Sequence, residues 1–166
     1  MGDAINLAIH IIAAAVFVGP QVFLFLAAIP AMRTIEDVQA RTRATRMVTA
    51  RFGWIAGIAL AVLIVTGIEN YRHADSLGYL HFERYFFVLQ AKLTLVTIVV
   101  ILTALHGGLI GRRLLQLQES DAPEAEIAAV RRWSVLLSAL VLLLSLAILV
   151  CAALLGSDWS LRGGIR

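Results

Sequence analysis

At 166 residues, 60% hydrophobic and 15% charged, the chain carries far less charge than a soluble domain, which averages about 25%. A mean hydropathy of +0.87 excludes an ordinary soluble enzyme and points to a membrane protein. The net charge of +3 says less than where the arginines lie, and nothing in the chain suggests a nucleic-acid partner, a hydrolase triad, a phosphate loop or a nucleotide fingerprint.

Four apolar runs stand out, about residues 5–29, 52–70, 85–109 and 134–156. Each approaches the roughly 20 residues needed to cross about 30 Å of hydrocarbon. The expected fold is therefore all-α: an integral membrane four-helix bundle forming one domain over 1–166. The first run does not read as a cleavable signal, because Met1-Gly2-Asp3 carries no basic residue and the apolar stretch is too long. Asn6 and His10 are one turn apart on it, and Gln21 returns to the His10 face, so this face is expected to turn toward neighbouring helices. Pro30 should loosen its inner end. Thr34–Ala50 is polar and arginine-rich at helical spacing, which predicts a bent cytoplasmic continuation.

The second run opens with the small-residue series Gly53, Gly57 and Ala61, a close-packing signature, and ends Glu69-Asn70-Tyr71. A short mixed-charge, aromatic loop is expected over residues 70–84, holding His73 and His81. The third run contains Lys92, the only lysine of the chain, and His106. Lys92, Thr103 and His106 share one helical face, although fourteen residues separate Lys92 from His106. The third helix should continue to Asp121, where Asp121-Ala122-Pro123-Glu124 reads as the start of the fourth. Ser134, Ser138, Ser145 and Ala152 line one face of that helix, and Cys151 is a lone packing residue.

Arg33, Arg41, Arg43, Arg46 and Arg51 separate the first two runs, and Arg112, Arg113, Arg131 and Arg132 the last two. The other ends hold only Arg72, Arg84, Arg162 and Arg166. The positive-inside rule then expects both termini and the 70–84 loop on the outer, periplasmic side.

That topology sets His10, His73, His81 and Lys92 at the outer end, with His106 toward the cytoplasm. An ionisable group inside a membrane span is a functional candidate by default, so Lys92 is the first candidate for a catalytic role. It could also pair with Glu69 or Glu83. Imidazoles in a helix bundle suit haem b, which makes His10, His73, His81 and His106 candidate cofactor ligands. Copper also accepts imidazole, with His10, His73 and His81 as the candidate metal ligands, but Cu(I) prefers thiolate and thioether sulfur. Met1, Met32 and Met47 are scattered and Cys151 is alone, so the donor inventory leans to haem. A stacked pair of haems would need more than the two span histidines, His10 and His106. One outer haem remains, with Lys92 or Arg72 to meet a propionate.

The stretches Ile9-His10 to Phe17-Val18-Gly19, Val65-Thr66-Gly67, Ala91-Lys92-Leu93 and Ala104-Leu105-His106-Gly107-Gly108 to Gly111-Arg112 carry a resemblance over roughly residues 5–115. The chain resembles the CopD (copper-resistance protein D) superfamily and the related HemJ-type protoporphyrinogen oxidases. The resemblance implies a bacterial inner-membrane, multi-pass protein. In the HemJ-type proteins a first-helix histidine and a third-helix lysine are the important pair and haem b is bound; His10 and Lys92 match by position. The expected function is haem b electron transfer, oxidising a porphyrinogen or exchanging electrons with quinone. The alternatives are a copper-binding or copper-import protein and a non-catalytic scaffold subunit. The expected partners are the lipid bilayer and a quinone or porphyrin, with self-association left open.

Overall fold

The computed structural model describes residues 2–120 and 123–162. Every regular element among them is helical, and four helices are long and apolar enough to cross a membrane: Gly2–Arg33, Val38–Ser76, Glu83–Arg113 and Glu124–Leu155. The chain divides into two compact units, Met1–Gly78 and Tyr79–Arg166. Each is a hairpin of two of these helices.

In the first hairpin α1 (Gly2–Phe23) passes through a π turn (Leu24–Ala28) into α2 (Ile29–Arg33). Pro20 lies inside α1, where it removes one helical donor and presses on the carbonyl of Val16. The amide of Gln21 donates to the Phe17 carbonyl at 3.0 Å in this weakened turn. The π turn also has a cause. Pro30 cannot donate to the carbonyl four residues back and its ring crowds it. The helix widens one turn earlier, and the Ile29 N–H reaches the Leu24 carbonyl instead. The loosening expected from Pro30 thus takes the form of a wide turn within a continuous helix.

A break at Ile35–Asp37 follows, and α3 (Val38–Ser76) begins. Asp37 caps it, accepting from the backbone N–H of Gln39 at 2.8 Å and Ala40 at 3.3 Å. The polar arginine stretch is helical as expected from Val38 onward, where it belongs to α3, and its first residues form the loop that joins α2 to α3. At 39 residues, α3 is about 58 Å long, nearly twice the hydrocarbon thickness. Residues 70–76, expected in a loop, are its last two turns. It stops where Leu77 and Gly78 donate back to His73 and Asp75 at 3.1 and 2.9 Å. Gly78 has φ 71°, a conformation that only glycine adopts without strain. The core of this hairpin sets the Phe17 ring and Ala13 of α1 with Ala56 and Ala59 of α3, all buried.

The second hairpin starts with a 3₁₀ turn (Tyr79–His81) and α4 (Glu83–Leu105), passes a second π turn (His106–Ile110) and continues as α5 (Gly111–Glu119). The Gly111 N–H reaches the His106 carbonyl across that wide turn. Then come α6 (Glu124–Leu155) and the short α7 (Asp158–Leu161). Asp121, expected as the cap of α6, lies outside the described residues; Pro123 stands immediately before the helix. Tyr85, Val88, Leu89 and Val99 of α4 are buried, as are Val141 and Ser145 of α6. Arg113 of α5 pairs with Glu126 of α6 at 3.0 Å. Ser160 of α7 is fully buried, and the Arg84 guanidinium lies 5.2 Å over the Trp159 ring. Tyr79 and Tyr85 pack ring to ring at 5.5 Å.

Much of the apolar surface faces outward. Trp54, Leu26 and Phe87 are each about three-quarters exposed. Helices built for water would bury such residues; helices built for lipid do not.

Candidate functional site

A cluster of polar side chains lies in the first hairpin, where α1 and α3 run antiparallel. Asp3, Asn6 and His10 step along α1 at intervals of three and four residues. Thr66, Asn70 and His73 step along α3 at four and three. The two series meet rung by rung. Asp3 approaches His73 at 3.6 Å, Asn6 donates to Asn70 Oδ1 at 2.8 Å, and His10 meets Thr66 at 2.7 Å. Asn6 also donates to the Thr66 carbonyl at 3.0 Å.

Thr66 decides the state of His10. Its hydroxyl lies 2.7 Å from the Val62 carbonyl, an acceptor with no proton to give, so the single hydroxyl proton goes there. The 2.7 Å contact with His10 Nδ1 must then be made by the imidazole, which donates Nδ1–H to the Thr66 oxygen. That assignment makes Nε2 the basic nitrogen of the neutral ring. A hydrogen bond that fixes tautomer and ring orientation is the standard support of a ligating histidine. The ring lies against α3 at Gly67, where a Cβ would sit 3.5 Å from His10 Cε1, an ordinary contact. Thr66 is buried, while His10, Asn6 and Asn70 are half-buried.

The other candidates are dispersed. His73 is two helical turns from Thr66, about 10 Å along the axis, so it does not share the His10 site. It faces Asp3 on the surface. His81 is exposed in the 3₁₀ turn. Lys92, in α4, lies half-buried within electrostatic reach of the Cys151 thiol of α6. Among the described residues of its own hairpin no carboxylate pairs with it. Glu69, one partner open to it in the sequence, forms an exposed pair with Arg72 at 3.6 Å. His106 opens the second π turn, about 21 Å along the helix from Lys92. No group of three His, Cys, Asp or Glu side chains able to hold a metal ion forms among the described residues.

Thr66 and Asn70 were not singled out from the sequence as partners of His10 and Asn6. The signal was present as two polar series with mirrored spacing, readable only once the register of α1 on α3 is known. Comparisons with protein-family models, with curated proteins and with solved structures found no match to this chain.

Proposed function

We propose that the chain is a multi-pass membrane redox protein that holds haem b through His10. The observation that carries this reading is the bond from His10 Nδ1–H to Thr66, whose own proton is committed to Val62. It fixes the pose of the imidazole through which His10 would hold the iron. His10 would hold the group without His73, which stands two turns away. Copper held jointly by His10, His73 and His81 has no assembled group of three ligands among the described residues to support it.

Bound haem supplies one-electron redox chemistry. The chain's own contribution is to orient the imidazole, to hold its Nδ1 proton on Thr66 and to surround it with apolar helix. Lys92 brings the one ammonium into an apolar helix, where a porphyrin carboxylate is the kind of anion that would relieve its burial. Following the resemblance to HemJ-type proteins, the electrons would come from a porphyrinogen or pass to quinone. In the bilayer the arginine-rich ends lie in the cytoplasm and both termini outside, in a bacterial inner membrane.

The test is an absorption spectrum of the detergent-purified protein from haem-replete cells. A Soret band that His10→Ala abolishes or shifts supports the reading. No Soret band, or stoichiometric copper in its place, overturns it.

A further inference from the structure

Between α1 and α3 the first hairpin carries a groove of about 430 Å³, with Ile9, Ile12 and Val16 on one wall and Ile55, Ile58 and Val62 on the other. The buried Ala13 and Ala59 form its floor. Its walls are wholly apolar, and Ile9, Ile12, Ile55 and Ile58 are exposed. Along α3, Arg51, Ile55, Ile58 and Val62 follow one another at intervals of four, three and four residues. Arg51 therefore stands on the groove's own face, one turn beyond its end and about 6 Å from Ile55. It is exposed, and so open to a group lying at the mouth of the groove.

Arg51 has no countercharge within its hairpin helices. Residues 4–35 and 38–68 include no acidic side chain, and no carboxylate among the described residues pairs with Arg51. Arg113, which lines a groove of the second hairpin, differs, because Glu126 holds it at 3.0 Å. The depth of Arg51 says where its countercharge comes from. The contacts of His10 with Thr66 and of Met32 with Thr45, at 2.7 and 3.4 Å, set Arg51 level with Phe25 and Leu26 of the π turn alongside. Leu26 is 77% exposed. A level at which leucine faces outward on one helix and arginine on the next is the border between hydrocarbon and headgroups. Trp54, also exposed, marks the same border one turn from Arg51.

We propose that this face binds an anionic phospholipid, with its phosphate on Arg51 and one acyl chain in the groove. The 6 Å between Arg51 and Ile55 accommodates the glycerol and ester groups, and the groove, about 10 Å from Ile55 to Val62, takes the upper part of the chain. The guanidinium offers a planar fork of donors to the phosphate oxygens. The chain gains no hydrophobic burial there, because the surrounding lipid tails are as apolar as the groove. Packing holds it, and selectivity rests on the charge of Arg51. A lipid of net negative charge is favoured over a zwitterionic one, whose own ammonium already balances its phosphate. Arg51 lies about 22 Å along α3 from Thr66, so the site rests on no part of the haem reading.

The test uses the full chain with Trp133→Phe and Trp159→Phe, which leave Trp54 as the sole indole, in phosphatidylcholine vesicles. Quenching of Trp54 is read as brominated phosphatidylglycerol replaces the host lipid, with brominated phosphatidylcholine in parallel. The expected result is a preference of about fivefold for phosphatidylglycerol, as for one arginine at a membrane surface, which Arg51→Gln abolishes. Arg46→Gln removes the same charge nine residues from Ile55, on the far side of α3, and keeps the preference. Both arginines are exposed, so neither replacement threatens the fold. Equal loss in the two variants, or no preference in the parent, leaves only diffuse attraction and overturns the site. A second reporter, Ile58→Trp with Trp54→Phe, puts the indole on the groove wall and shows the same preference. A preference seen at Trp54 but not there means that the chain lies elsewhere, and the groove is not its seat. Glycerol phosphate, a head without chains, leaves the quenching unchanged; competition by it makes this a free-phosphate site and not a lipid one. A dimer by light scattering, with Trp54 shielded from both lipids, puts a second copy on this face and overturns the proposal.

Discussion

Thr66 serves two helices at once. Its hydroxyl gives a proton to Val62 and takes one from His10, and its carbonyl takes one from Asn6. Removing the hydroxyl would leave the imidazole N–H without its acceptor in a half-buried setting, at a cost of about 1–3 kcal/mol. Thr66→Val is therefore expected to lower the melting temperature of the purified protein and to shift or weaken any Soret band, while Thr66→Ser keeps both. Valine and serine variants that behave alike would show that the hydroxyl does not set the histidine. Gly67 gives an independent check on the same ring. A methyl 3.5 Å from His10 Cε1 is an ordinary contact, so Gly67→Ala should be close to silent. Gly67→Leu carries three more carbons into the space of the imidazole and should cost the Soret band as His10→Ala does. At this scale the sequence was half legible. His10 and Asn6 showed as an inward polar face by spacing alone, but their partners lie 56 to 64 residues away. Local periodicity carries no information about which turn of α3 docks against which turn of α1.

The two π turns are the features of the helices that periodicity could not give. Pro30 marked the first and Gly107-Gly108 lie inside the second, yet a helix can answer a proline by a kink, a stop or a widened turn, and packing chooses among these. A π turn amounts to one residue inserted into an α-helix. Deleting one residue inside it, Ala27, should restore regular winding and keep the register on both sides. Deleting Ile12 instead would rotate Asp3, Asn6 and His10 by about 100° away from α3. The expected outcome is a near-parental melting temperature and Soret intensity for the Ala27 deletion and loss of both for the Ile12 deletion. Circular dichroism would stay helical in each, so the comparison reports packing rather than helix content. Equal damage from the two deletions would mean that the wide turn is itself required. The helix ends were less legible than the helix bodies for a similar reason. Glu69 to Ser76 and the arginine stretch after Asp37 are polar, so hydropathy stops at the edge of the apolar run, whereas backbone hydrogen bonding continues until Gly78 ends it.

For the molecule as a whole, composition was sufficient for the class. Four helices long and apolar enough to span a bilayer follow from four apolar runs, because lipid-exposed backbone must bond within its own helix. The first of these helices lies with the second in one compact unit and the third with the fourth in the other. The same argument yields a topology that can be checked. Nine of the thirteen arginines lie between the first and second apolar runs or between the third and fourth, and arginine near a span end is retained in the cytoplasm. In a Cys151→Ser background, single cysteines at Thr45 and Gln116, both exposed, should react with a membrane-impermeant maleimide only once the cytoplasmic side is opened. Cysteines at Ser76 and Asp158, also exposed, should react in intact cells. The reverse pattern would invert the protein, and put His10 near the cytoplasmic face instead of the outer one. A mixed pattern within one hairpin would mean that one of its two helices does not cross.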